Sequence, residues 1–290
     1  MTSAVPPAVA VHAPVNALPC QAASFTRVVS VAVIVASRVI YRIGSAGPQK
    51  TMTPQTEYVT LSVSDSTSMR AYVARPSGAP KAGLIVFQEA FGVNPHIRDV
   101  ADRFAREGYL AIAPEMFHRT APGLEAGYTD FGAVMPHMQA LKDPSLEADM
   151  RAAWEWLKNS SGFPGLSISA IGYCMGGRCA CHAAIILPLA CGISYYGGGI
   201  ANSPFFRGLT DRLKDLQAPV MLFWGGLDQH IGPDQVQAVN SALREAKKPY
   251  VNVEFSFADH GFFCDARASY NAEAAAEAWA LTLAFLNRHS

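Results

Sequence analysis

The chain has 290 residues, half of them hydrophobic, and equal numbers of basic and acidic side chains, 23 of each. This length and composition allow one sizeable α/β core or at most two small domains. The zero net charge, without a basic stripe interleaved with aromatic residues, argues against nucleic acid and membrane surfaces as partners. Its six cysteines lack the spacing of a secreted disulfide scaffold, so we expect mostly reduced thiols and a cytoplasmic protein.

The first 52 residues differ in composition from the rest. The first acidic residue is Glu57, and the apolar run 28–36 is too short to span a membrane. An organellar targeting leader, a disordered tail and a true translation start near Met52 all fit this composition. We therefore treat residues 1–52 as a segment of open purpose and residues 53–290 as one domain.

From residue 53 onward the pattern becomes regular. A hairpin is predicted from strands 57–63 and 69–75, and residues 118–144 are predicted as a loop with irregular helix. Further strands are predicted at 83–91, 109–117, 166–173, 191–197, 219–228 and 250–257. Helices are predicted at 95–108, 145–160 (with Ser145 as N-cap), 174–187, 233–247 and 271–289. This alternation predicts a mainly parallel sheet with helices on both faces.

A cysteine stands where a buried strand gives way to a helix, in Gly-x-Cys-x-Gly around Cys174. The pattern matches the Gly-x-Ser-x-Gly turn of α/β-hydrolases with sulfur in place of oxygen. Side chains two positions before and after the nucleophile would clash in so sharp a turn, which explains Gly172 and Gly176. The N-terminus of the following helix favours a thiolate, so the sequence predicts a nucleophile.

A nucleophile of this kind needs a base and an orienting carboxylate. Asp228 follows one predicted strand and His260 follows the next, in the order nucleophile, acid, histidine. Ligands of an α/β sheet gather at the carboxyl ends of its strands, where all three residues are expected. The sequence therefore predicts a Cys-His-Asp triad.

Together these segments resemble the dienelactone hydrolase family, the cysteine branch of the α/β-hydrolase fold. The matching segments are QEAFGVN (88–94), GYCMGG (172–177), YYGGGI (195–200), GGLDQHI (225–231) and DHGF (259–262). They run in family order across most of residues 53–290. The resemblance implies an α/β-hydrolase fold and hydrolysis of an enol lactone, dienelactone, through an acyl-thioester intermediate.

The resemblance also implies roles for individual residues. Cys174 would be the nucleophile, His260 the general base and Asp228 its partner. Glu89 would hydrogen-bond the resting thiol, and the backbone N–H groups of Ala90 and Met175 would form the oxyanion hole.

The chain departs from the family in its basic residues. Members that act on dienelactone hold the substrate carboxylate with two arginines, and the region matching one of them, 125–145, contains only His137 and Lys142 as basic side chains. The other arginine lies just after the catalytic histidine, where Arg267 is a slightly displaced match, and Arg119 and Tyr196 are further candidates for substrate binding. We expect a small lactone or ester, anionic if the family's substrate carries over.

Other interpretations stay open. The C-x-C-H run of Cys179, Cys181 and His182 splays around a helix, so we expect packing and no metal site. No organic cofactor is expected, because the chain has no dinucleotide fingerprint and no Walker loop. The alternatives are a broad carboxylesterase or thioesterase, and a non-catalytic thiol-based binding or redox-sensing protein. We expect a monomer or a small homo-oligomer.

Overall fold

The computed structural model describes residues 53–290, so the expectation for residues 1–52 lies outside the described part of the chain. Eight strands form one sheet. Their bounds are β1 Gln55–Ser62, β2 Ser68–Arg75, β3 Ala82–Phe87, β4 Tyr109–Pro114, β5 Ile168–Tyr173, β6 Gly192–Tyr195, β7 Val220–Gly225 and β8 Tyr250–Phe255. Six α-helices accompany the sheet: α1 Pro95–Arg106, α2 Phe131–Ala140, α3 Asp143–Glu155, α4 Met175–Ile186, α5 Pro233–Glu245 and α6 Ala272–His289.

The strand order is β1-β2-β4-β3-β5-β6-β7-β8. The predicted hairpin β1–β2 pairs antiparallel, β2 pairs antiparallel with β4, and all later pairs are parallel. Parallel neighbours need crossover connections, which the helices supply. This topology confirms the predicted α/β-hydrolase fold with a mainly parallel sheet.

Continuous apolar sequence explains the middle of the sheet. Every residue of β3, β4, β5, β6 and β7 is buried, whereas the edge strands β1 and β8 alternate or stay largely exposed. Strands buried on both sides must be covered by helices on both faces. Two of the covering helices also contact each other, since the tilted rings of Phe104 in α1 and Trp279 in α6 have centroids 4.6 Å apart.

The strands end earlier than the apolar runs do. β3 stops at Phe87 and β7 stops at Gly225, so residues 88–91 and 226–228 belong to the loops that follow. The sequence had extended both strands through these loops. Because the loops emerge at the carboxyl ends of parallel strands, they carry side chains to one edge of the sheet.

Two further predictions about the stretch before β5 need correction. Residues 131–140, predicted as part of an irregular region, form helix α2, which Asp130 caps by accepting a hydrogen bond from the Ala133 N–H at 3.1 Å. Helix α3 begins at Asp143, two residues before the predicted N-cap Ser145, because Pro144 is tolerated in a first helical turn. Among residues 53–290, no helix is both long and apolar enough to cross a membrane.

Candidate active site

The nucleophile turn is built as tightly as its glycines predict. Cys174 joins β5 to α4 with φ of +54°, a conformation that costs a non-glycine residue of the order of 1 kcal/mol or more. A Cβ atom added to Gly172 would overlap the backbone oxygen of Gly176, and one added to Gly176 would overlap that of Phe87. The steric explanation of both glycines is therefore confirmed, and the half-buried Cys174 sulfur is left at the sheet edge.

Asp228 and His260 meet at the same edge. The Nδ1–H of His260 donates to Oδ2 of Asp228 at 2.7 Å, and both side chains are nearly buried. The other oxygen, Oδ1, accepts the backbone N–H groups of His230 at 2.7 Å and Ile231 at 3.0 Å. Burial raises the pKa of Asp228, but the bonds from His260 and the backbone outweigh it and lower the pKa below its ordinary value. The aspartate is therefore a fixed anion.

The Cys174 sulfur lies close to the His260 ring, and both residues line the same cavity. Burial alone would lower the pKa of His260, but the adjacent sulfur and Asp228 raise it to about 10. An imidazole with this pKa carries its proton at neutral pH. The structure thus brings together the three residues that the sequence singled out.

Glu89 takes a different partner from the one that the resemblance implies. Its Oε1 accepts a hydrogen bond from Nη1 of Arg267 at 3.1 Å, and its Oε2 has no partner among residues 53–290. The predicted bond to the Cys174 thiol is therefore not formed. Burial raises the pKa of Glu89, partly offset by the charges of Arg267 and His260. A buried carboxylate keeps the nearest guanidinium rather than a thiol because the ion pair offsets more of its desolvation.

The other two substrate-binding candidates do not reach the cavity. Arg119 donates two hydrogen bonds of 2.8 Å to the buried carboxylate of Asp149 and a third of 2.8 Å to Asp65. Tyr196 is fully buried, with its ring centroid 5.1 Å from that of His260. Arg119 is thus a structural ion-pair residue, and Tyr196 packs behind the histidine.

A cavity of about 500 Å³ opens beside Cys174. His260 and Arg267 line it together with Ala90 and Met175, the two residues predicted to supply an oxyanion hole. Met175 is the first residue of α4, so its backbone N–H has no acceptor one turn earlier in the helix. The predicted nucleophile, the predicted base and the candidate oxyanion donors therefore share one cavity, an arrangement suited to acyl transfer.

Comparison with known proteins identifies the family of this chain. The profile of the dienelactone hydrolase family matches residues 69–290. The chain belongs to this family. A protein of Synechocystis sp. with the name "putative carboxymethylenebutenolidase" is 37% identical over 220 residues, which cover 72% of this chain and 87% of that protein. A protein of the same name from Escherichia coli O157:H7 is 34% identical, covering 78% and 84%. The crystal structure of a "putative dienelactone hydrolase" from Klebsiella pneumoniae has a TM-score of 0.74 at 32% identity, covering 81% of this chain and 98% of that one.

Membership of the dienelactone hydrolase family makes the chain a carboxylic ester hydrolase for small lactone or ester substrates. The family resemblance drawn from five short segments is thereby confirmed, because the match spans nearly the whole described domain.

One group of potential metal ligands lies behind the family's active site. Within residues 53–290, ligand atoms of the buried Glu89, His96 and Cys264 lie within 4.8 Å of one another. Arg267 already neutralises the carboxylate, and burial raises the pKa of Cys264 to about 11, so its thiol keeps its proton.

The C-x-C-H run packs within the protein, as predicted. Cys179 and Cys181 are buried free thiols, and His182 pairs with Glu147 at 2.8 Å.

Most of the cavity wall was not identified from the sequence. Its apolar part consists of Phe91, Phe131, Met135, Met138, Phe205 and Phe206. Three of these lie on α2, which the sequence left irregular, and two lie in the loop after β6. The available signal was the apolar spacing of Phe131, Met135 and Met138, which places them on one side of a helix.

Proposed function

We propose that this chain hydrolyses a small lactone or ester by cysteine-based acyl transfer, with Cys174 as nucleophile, His260 as general acid and base, and Asp228 as its partner. The observation that carries the proposal is the 2.7 Å hydrogen bond between Asp228 and His260 beside Cys174, which lines the same cavity as His260. An imidazolium beside a sulfur anion is the resting state that such a reaction needs.

In the first half-reaction, the Cys174 sulfur attacks the carbonyl carbon of the substrate. The carbonyl oxygen becomes an oxyanion, stabilised by the backbone N–H groups of Ala90 and Met175. When this intermediate collapses, the carbon–oxygen bond breaks and His260 gives its proton to the leaving oxygen. The acyl group remains on Cys174 as a thioester.

In the second half-reaction, His260 accepts a proton from water as that water attacks the thioester carbonyl. The carbon–sulfur bond breaks, the carboxylic acid leaves, and the sulfur–imidazolium pair is restored. Asp228 holds the ring with Nδ1 towards itself and the other nitrogen towards the reaction.

Glu89 acts in this proposal through Arg267, whose guanidinium it holds in the cavity wall. An anionic substrate would have to draw Arg267 away from this buried carboxylate. A cytoplasmic location and a monomeric or small oligomeric state stay predictions.

The test is hydrolysis of p-nitrophenyl acetate and of dienelactone by the full chain and by Cys174→Ser. We expect the variant to lose at least about 10³-fold in kcat, because a serine there is far less readily deprotonated. The circular dichroism spectrum of the variant should match that of the wild type.

Other outcomes separate the alternatives. Ester turnover without dienelactone turnover would identify a broader carboxylesterase. Full activity in Cys174→Ser would refute the proposed mechanism. No turnover of either compound by folded wild type would favour a thiol-based binding or sensing protein.

A further inference from the structure

The cavity has two sides of different chemistry. We call Cys174, His260, Ala90 and Met175, with Asp228 bonded to His260, the catalytic face. The apolar wall is formed by Phe91, Phe131, Met135, Met138, Phe205 and Phe206. These six large side chains line a space of about 500 Å³, much more than an acetyl group or a five-membered lactone fills.

The charge of the cavity is low. Arg267 is the single Lys, Arg, Asp or Glu among its lining residues within 53–290. Its guanidinium is already paired with the fully buried Glu89, so this ion pair has no net charge. A substrate carboxylate placed here would be desolvated without a free counter-charge, which is unfavourable.

The other cations considered for the substrate do not compensate. Arg119 is bound to Asp149 and Asp65. Lys142 donates to the backbone oxygen of Gln139 at 3.2 Å, and none of these cations lines the cavity. The region that lacks the family's first arginine instead supplies Phe131, Met135 and Met138 to the apolar wall.

We infer that the substrate of this enzyme presents an uncharged, bulky apolar group, an aryl or medium-length alkyl chain, to the apolar wall rather than a carboxylate. The inference rests on the proposed function, which supplies the ester bond at Cys174. Phe131, Met135 and Met138 are then the specificity-determining residues. Methionine suits this role because its unbranched, polarizable side chain adapts to irregular apolar shapes.

The test compares kcat/KM of the full chain for four esters with the same leaving group: p-nitrophenyl acetate, butyrate and hexanoate, and the mono-p-nitrophenyl ester of adipic acid. Burial of each methylene favours the longer ester by roughly fourfold at most. We expect hexanoate to exceed acetate by at least about 30-fold, after correction for hydrolysis in buffer. The adipate ester, equal in length to hexanoate but charged, should be at least about tenfold slower than hexanoate.

A matched pair of variants locates the effect. Phe131 and Phe257 are similarly exposed, at 48% and 45%, but only Phe131 lines the cavity. Phe131→Ala should lower kcat/KM for hexanoate about fivefold and thereby lower the ratio of kcat/KM for hexanoate to that for acetate. Phe257→Ala should change neither. Equal rates for acetate and hexanoate, or faster turnover of the adipate ester, would overturn the inference.

Failure of the proposed function gives a different result. If folded wild type hydrolyses none of the four esters, or if the activity survives in Cys174→Ser, the proposed mechanism fails while the wall can still be tested by binding. Calorimetric titration with hexanamide and acetamide then decides: tighter binding of hexanamide that Phe131→Ala weakens supports the inference. Equal binding of the two amides refutes it.

Discussion

The catalytic face and the apolar wall are held in place by different means. On the catalytic face, Cys174 N–H donates to the Tyr195 oxygen of the neighbouring strand end at 3.0 Å, and Asp228 N–H donates to Gly225 at 3.2 Å. On the apolar wall, α2 contains a proline at position 136. The loop after β6 is held by the Arg178 side chain, which hydrogen-bonds two of its backbone oxygens.

The two kinds of support serve different functions: the catalytic face carries out the proposed reaction, and the apolar wall selects the substrate. Backbone hydrogen bonds at the ends of buried parallel strands hold the reactive residues to the sheet, whose close packing tolerates little change. The residues of the apolar wall lie on α2 and in loops, outside those strands. A fold built in this way keeps one chemistry while its substrate range varies.

The largest effect on stability and activity is expected at Gly176, in the nucleophile turn that joins β5 to α4. Gly176→Ala places a Cβ against the backbone oxygens of Phe87 and Gln88, neither of which can move without parting β3 from α4. We expect the unfolding temperature to fall by about 10 °C or more and esterase activity by at least about 10²-fold. Thermal unfolding and p-nitrophenyl acetate hydrolysis measure both effects.

Gly78→Ala is the matched control for this substitution, since a Cβ there meets no atom within 4 Å. Its unfolding temperature should stay within about 2 °C of wild type. If the two variants were equally stable, the steric account of the nucleophile turn would be wrong.

The second largest effect is expected from the protonation of His260, which makes the unfolding temperature depend on pH. The pKa of His260 is raised to about 10 in the folded chain, from an ordinary value of 6.5. A group whose pKa is raised on folding contributes stability that is full below its unfolded pKa and is lost as the pH rises through its folded pKa. The unfolding temperature should therefore fall between pH 7 and pH 9 because of His260.

Asp228→Asn isolates this contribution from other groups that titrate in the same range. Without the carboxylate, the folded pKa of His260 should move back towards 6.5. We expect the fall in unfolding temperature from pH 7 to pH 9 to be about 3 °C smaller in the variant. The same fall in both proteins would show that Asp228 does not hold the imidazolium.

Much of the catalytic face could be predicted from the sequence. Its residues follow apolar runs that can only be buried strands, and parallel strands bring their carboxyl ends together whatever the loops do. Cys174, Asp228 and His260 needed no knowledge of distant contacts. The flanking glycines at 172 and 176 were predictable from the geometry of one turn.

The partners of the charged residues could not be predicted in this way. Glu89 pairs with Arg267, 178 positions further on, and Arg119 pairs with Asp149 across 30 positions. Neither spacing follows from a local period, and both pairs depend on how loops pack in three dimensions. The hydrogen bond from the Cys174 thiol to Glu89 was therefore only what the family resemblance implied.

Residues 118–144 were predicted as a loop with irregular helix, and the regularity of α2 was not predicted for a local reason. Gly132 and Pro136 both lower helix propensity, and Pro136 also removes one backbone hydrogen bond. The helix is stabilised instead by its Asp130 cap and by burial of Val134 against Ala90 and Phe91. Tertiary contact outweighs propensity here, so the apolar wall became visible only with the structure.

The smallest effect, and the most selective, is expected at Arg178. This fully buried side chain donates to the backbone oxygens of Gly199 at 3.2 Å and Arg207 at 2.8 Å, and its guanidinium lies 4.8 Å from the centre of the Phe206 ring. It also pairs with Asp143 at 2.8 Å. Arg178 is thus a positioning residue for the loop that carries Phe205 and Phe206.

Lysine at position 178 keeps the charge beside Asp143 but lacks the planar fork that reaches two carbonyl groups at once. With the loop less restrained, Arg178→Lys should raise KM for p-nitrophenyl hexanoate about three- to fivefold, with kcat and the acetate reaction within about twofold of wild type. Arg75→Lys is the control, because Arg75 also joins a carboxylate, Glu57, to a backbone oxygen, that of Ser161, away from the cavity. A fall in kcat for both esters would instead mean that Arg178 supports the nucleophile through α4. Arg178 would then support the catalytic face as well as the apolar wall.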